Sequence, residues 1–182
     1  MAEIEAVIFD FIGTLTDSKG FSLEAAELKL YETLFKENFK VSKEDFFEAY
    51  NESNEKYRLV RYQELVEVTN AVWISDALNH LGFKTKPEDD KLKTAVNVFV
   101  QIFLNSLQLK PCATQLLSNL QKHFKLGLIS NFTYAPVIFV ALKKLGINWF
   151  FNAVLVSEDV GWRKPNPKIF QEALRRLEVP AE

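Results

Sequence analysis

The chain has 182 residues, with 22 Lys plus Arg against 24 Asp plus Glu and a formal net charge of −2. No basic excess or basic run supplies the electrostatic footprint of a nucleic-acid binder, and no apolar stretch approaches the ~20 residues that cross a bilayer. The single cysteine, Cys112, excludes an intramolecular disulfide and a cysteine metal cluster, which points to the cytoplasm.

The N-terminal apolar run is too short for a signal peptide and carries Glu3 and Glu5 where positive charge belongs. Ala6-Val-Ile-Phe9 reads instead as a strand buried on both faces, as in parallel sheets. Asp10 closes that strand just before a Gly-containing turn, the place where open α/β sheets bind ligands. A carboxylate there costs several kcal/mol to bury unless something compensates it. Asp10 therefore calls for a cation, a metal or a chemical role.

Helical patterning follows. Ser22 is an N-cap before Ala25, Leu28, Tyr31 and Phe35. Ser42 opens a second helix, with Val41 and Phe46 as a hydrophobic staple. A third is expected from Tyr62 to Leu81, stopped by Gly82. Pro87 should open a fourth that carries Leu92, Val96, Phe99 and Phe103. Four helices with no strand between them read as an insertion, residues 18–107, in an otherwise α/β chain. Trp73, Phe99 and Phe103 read as packing within it, a partner surface being the other option. After it, a helix following Pro111, strand Lys125–Ile129, a helix ending near Gly146, strand Ala153–Val156 and a helix begun by Asn166-Pro167 restore the βαβ rhythm. That rhythm belongs to a doubly wound parallel sheet, so 1–17 with 108–182 form the expected α/β core domain.

Three segments carry a family resemblance. Asp10-Phe-Ile-Gly-Thr-Leu15 resembles the first motif of the haloacid dehalogenase-like hydrolases, Leu126-Gly-Leu-Ile-Ser-Asn131 the second, and Val154 through Phe170 the third. The resemblance implies a Rossmann-like core with a helical cap domain inserted after the first strand. It also implies roles. Asp10 is the covalent nucleophile. Ser130 holds an oxygen of the transferring group, an ordinary helix N-cap remaining the alternative. Lys164 neutralises the nucleophile and an incoming anion. Asn131, Gly13 and Thr14 are candidate substrate-binding residues, and the Asp10 carboxylate with the Ile12 carbonyl are candidate Mg2+ ligands. Arg163 is expected to face solvent, Glu158 and Asp159 to be surface or capping residues, and Asp17 to be a turn or capping residue.

Two departures qualify the activity. The family's phosphatases place a second Asp two residues after the nucleophile as general acid and base; here that position is Ile12, which moves no proton. Proton transfer of that kind contributes about 10²–10⁴ in rate. The family's fourth motif, a strand ending in paired carboxylates, finds no match before Glu182, so Mg2+ would be held weakly. Without that strand the first strand would present an open edge and a risk of self-association. The reading adopted is a fragment of a longer protein, a partner-supplied strand being an alternative.

The expected activity is hydrolysis of a small phosphorylated metabolite through an Asp nucleophile. A 2-haloacid dehalogenase reaction and a non-catalytic binding module are the alternatives. The expected partner is a small-molecule substrate.

Overall fold

The computed structural model describes residues 4–180. In chain order these form β1 (Ala6–Phe9), β2 (Thr16–Ser18), α1 (Leu23–Lys36), α2 (Lys43–Leu59) continued by a π turn (Val60–Glu64), α3 (Asn70–His80) and α4 (Asp90–Ser106). Then come β3 (Leu107–Leu109), α5 (Ala113–Leu120), β4 (Lys125–Ser130), α6 (Ala135–Lys144), a 3-10 turn (Asn148–Phe150), β5 (Ala153–Val156), α7 (Ser157–Val160) and α8 (Pro167–Leu177). The chain divides into an α/β unit, residues up to 19 with those from 106 onward, and a helical unit, residues 20–105. Among the described residues no helix is long and apolar enough to cross a membrane.

The α/β unit is built on a parallel sheet of order β1-β4-β5. Its register pairs Ile8 with Gly127, Gly127 with Ala153 and Ile129 with Leu155. Because strand side chains alternate with period two, Ala6, Ile8, Gly127, Ile129, Ala153 and Leu155 share one face. Helix α8 covers that face with Ile169, Ala173 and Leu177, spaced four apart so that they form one stripe. Gly127 lies at the tightest point: a Cβ there would sit 3.0 Å from Leu177 Cδ1 and 3.3 Å from Ile8 Cγ1. Asn166 starts α8 as N-cap by accepting from the Lys168 amide at 3.0 Å, and Pro167 takes the first helical position, where its missing N–H costs nothing.

Strand β1 departs from the expected burial on both faces, since all four of its residues are half-buried. Among the described residues it is an edge strand, whereas central β4 is buried over Leu126–Ser130. Asp17 is not a turn or cap: it lies in β2, which pairs antiparallel with β3, and its carboxylate meets Lys110 Nζ at 3.4 Å.

In the helical unit, Ser22 and Ser42 cap α1 and α2 as their sequence signatures indicate, accepting from the Ala25 and Asp45 amides. Leu30, Leu34, Phe46, Ile74, Leu78 and Leu92 are fully buried. Trp73 and Phe103 are buried as packing residues, while Phe99 is half-buried. Two helix starts differ from the sequence expectation. The third helix begins at Asn70 rather than Tyr62, because Leu65 is left-handed at φ 56° and breaks the ladder. The connecting loop is held by Glu67, whose Oε1 accepts from Arg61 Nε at 3.1 Å and from the Val68 amide at 3.0 Å. The fourth helix begins at Asp90 rather than Pro87. The Asp89 carboxylate accepts from the Lys86 amide at 2.9 Å and closes Pro87 into a turn ahead of the helix.

Candidate active site

The carboxyl ends of β1 and β4 place the candidate residues. Asp10 follows Phe9, which pairs with Leu128, so Asp10 stands level with Ile129 and one residue short of Ser130. The turn behind Asp10 is tightly bonded. The Phe11 carbonyl accepts from the Leu15 amide (2.9 Å), the Thr16 amide (3.1 Å) and the Thr16 hydroxyl (3.2 Å). Gly13, at φ 86°, supplies the left-handed residue this turn requires, and its amide donates to the Thr16 carbonyl at 2.8 Å. Phe11 and Leu15 are buried on the far side of the turn, leaving Asp10 at a fixed, partly open position.

Lys164 reaches Asp10 from the loop between α7 and α8. Its Nζ donates to Asp10 Oδ1 at 2.6 Å and to the Ile129 carbonyl at 2.7 Å. The side chains are 23% and 43% exposed, so the pair is partly desolvated yet open to an incoming group. Thr14 Oγ1 donates to the other carboxylate oxygen, Asp10 Oδ2, at the longer distance of 3.3 Å. One oxygen is thus held by an ammonium and the second only loosely by a hydroxyl. That arrangement suits a carboxylate nucleophile beside a cation that can also receive an anion.

Ser130 is the last residue of β4 and is buried. It is not a helix cap: α6 starts at Ala135, after a loop over residues 131–134, with Tyr134 at its N-cap position. The first amide of that helix, on Ala135, donates to the Glu158 carboxylate. Glu158 is therefore the capping group here, in keeping with its reading as a surface or capping residue. Asp159 lies at the surface, where neighbouring atoms still desolvate its carboxyl enough to raise its pKa above the ordinary carboxylate value, against the lowering pull of Arg176.

Asn131 is engaged by its neighbour across the site. Its Nδ2 donates to the Lys164 carbonyl at 3.0 Å, and its Oδ1 accepts from the Lys164 amide at 2.8 Å. The motif marks this side chain as a candidate substrate contact; the structure binds it to the backbone of Lys164. Arg163, expected to face solvent, is 5% exposed. The Asn166 amide donates to its carbonyl at 2.8 Å and turns the chain into α8. Ser157, absent from the sequence reading, is fully buried; it accepts from the Phe132 amide at 2.9 Å and donates to the Phe132 carbonyl at 3.2 Å. A serine just past an apolar strand carries no distinctive signal, so nothing local singled it out.

Among the described residues no three Asp, Glu, His or Cys side chains come together. Mg2+ is usually held by one or two carboxylates with waters and phosphate, and the Asp10 carboxylate is already bound to an ammonium. These residues do not by themselves fit a metal centre, and no step is assigned to one.

Comparison with known proteins agrees with this layout. A family model described as haloacid dehalogenase-like hydrolase matches residues 4–182. The glyceraldehyde 3-phosphate phosphatase of Methanothermobacter thermautotrophicus is 29% identical over 180 residues, which cover 96% of this chain and 72% of that protein. The pyrimidine 5'-nucleotidase YjjG of Escherichia coli is 29% identical over 133 residues, covering 71% of this chain and 58% of its own length. Among solved structures, a 2-haloacid dehalogenase from Pseudomonas syringae pv. Tomato matches at a TM-score of 0.65 and 26% identity, over 99% of this chain and 75% of that one.

Proposed function

The chain belongs to the haloacid dehalogenase-like hydrolases, and on that premise we propose that it hydrolyses small phosphate monoesters through Asp10. The observation that carries the proposal is the 2.6 Å contact between Lys164 Nζ and Asp10 Oδ1, which leaves Oδ2 as the oxygen placed to attack. The curated relatives named a phosphatase and a nucleotidase support the choice of phosphate chemistry.

In the first step Asp10 Oδ2 bonds to phosphorus while the bond from phosphorus to the ester oxygen breaks, giving an acyl phosphate and a free alkoxide. Lys164 neutralises the two anions this brings together. The Ser130 hydroxyl and the amides of Thr14 and Asn131 are the donors offered to the phosphoryl oxygens, while the Gly13 amide is committed to the Thr16 carbonyl and holds the turn. In the second step water attacks phosphorus, its proton passes to solvent, and the bond from Asp10 to phosphorus breaks. Inorganic phosphate and the free carboxylate result.

Ile12 gives the leaving group no proton, so the alkoxide must take one from water. Rates should therefore depend steeply on the leaving group, fast for p-nitrophenyl phosphate and slow for alkyl phosphates, by about 10²–10⁴. Asp10→Asn should abolish turnover of both while leaving the fold intact. Undiminished hydrolysis in that variant ends the proposal.

A second reading has its own support. A halide needs no proton to depart, so Ile12 is no handicap in attack on the halogen-bearing carbon of a 2-haloacid, and the dehalogenase likeness favours that chemistry. Asp10-dependent release of halide from a 2-haloacid, with no phosphate released from either ester, selects it.

A further inference from the structure

Lys164 sits on a loop, and a long side chain on a loop loses much rotamer entropy when held in one place. The structure supplies the restraint. The two hydrogen bonds from Asn131 grip both backbone groups of Lys164, while Lys164 Nζ bonds the carbonyl of Ile129, two residues before Asn131. Backbone and side chain of the lysine are thus anchored to the same end of β4, with Asp10 level with Ile129 on the neighbouring strand.

We infer that Asn131 is a positioning residue, whose side chain acts on Lys164 rather than on substrate. It sets the height at which the ammonium meets Asp10. The inference rests on the proposed nucleophilic role of Asp10. Other ties hold the loop after β4 to α7, the helix that leads into the Lys164 loop, and do not depend on Asn131. Ser157 bonds both backbone groups of Phe132, and the Glu158 carboxylate accepts from the Ala135 amide. Removing Asn131 should therefore release Lys164 without parting the loop after β4 from α7.

A kinetic cycle tests this, using p-nitrophenyl phosphate as probe and Asn131→Ala, Lys164→Met and the double variant of the full chain. Displacing a catalytic group by about 1 Å costs on the order of 10²-fold, so Asn131→Ala should lower kcat by that factor and leave KM within about threefold. In the Lys164→Met background the same substitution should change kcat by less than about threefold, since nothing remains to position. Asn131→Ser, too short to reach both backbone groups, should follow the alanine variant and guards against a folding failure specific to it.

Losses that multiply in the double variant, a loss carried by KM, or a fall in thermal midpoint of more than about 10 °C in both single Asn131 variants overturn the assignment. They make Asn131 a substrate contact or a scaffold residue. Absence of Asp10-dependent turnover in the parent overturns the reading beneath it instead, so the two failures are told apart.

Discussion

Replacing Lys164 with methionine nearly keeps the length of the side chain and removes its charge, isolating what the ammonium contributes. At the observed 2.6 Å between Nζ and Oδ1, two unit charges attract by about 6 kcal/mol at an effective dielectric of ~20 and by about 1.6 kcal/mol in bulk water. The 23% and 43% exposure of the two side chains puts the pair between those limits. In the resting protein most of that attraction is offset. Asp10 is open enough for water to replace the ammonium, leaving a net loss of about 1 kcal/mol for the ion pair. The Ile129 carbonyl loses a donor as well, for a further ~1 kcal/mol. At about 2–4 °C per kcal/mol for a chain of this size, the thermal midpoint should fall by roughly 4–8 °C. In the proposed phosphoryl transfer a second anion arrives beside the first and water is displaced, so removing the cation should cost about 10²–10³ in kcat. Steady-state kinetics with p-nitrophenyl phosphate, paired with calorimetry, checks both numbers. A kcat within fivefold of the parent, in a variant that unfolds where expected, would refute the electrostatic argument.

Two further outcomes test the frame that holds the site. Gly127→Ala should destabilise the protein by about 1–3 kcal/mol, since the added methyl meets Leu177 and Ile8 at 3.0 and 3.3 Å beneath α8. Denaturant unfolding that shows equal or greater stability would mean this interface has slack. The Arg175 and Arg176 side chains hold the exposed Glu172 carboxyl down to about 2, from a starting value of 4.5. A depressed acid stabilises the fold fully above its unfolded pKa and loses that contribution as pH falls through its folded one. The stability difference between the parent and Glu172→Gln should thus be constant above about pH 5 and vanish toward pH 2. A gap that stays the same across that range would contradict the bidentate pairing.

Much of the α/β unit was legible locally. Ala6–Phe9 and Ala153–Val156 form strands with the limits that their apolar runs and flanking polar residues mark. Asn166-Pro167 starts α8 because a side-chain acceptor followed by a fixed φ is a local device. Asp10 was legible for a related reason: an ionisable residue at the end of a buried run is conspicuous wherever the strand goes. Ser130 and Lys164 became candidates only through their likeness to known motifs, since a serine ending a strand and a lysine in a loop are each ordinary.

Short-range rules failed wherever distant groups decided the outcome. Leu65 and Val68 continue the apolar spacing of a helix, yet the chain breaks at Leu65, in a loop held by the buried Glu67 beside Arg61. The same holds for Arg163, which is buried although its loop position reads as exposed, whereas the open edge of β1 was expected once no fourth-motif strand was found. Asn131 shows the limit most plainly. Its residue type was visible, but its partner lies 33 positions away on the loop between α7 and α8. Periodicity, capping and turn chemistry act over a few residues, so composition and order determined the elements and the carboxylate that closes β1. Which side chains meet across those elements depends on packing and on loop paths, and only the folded chain decided it.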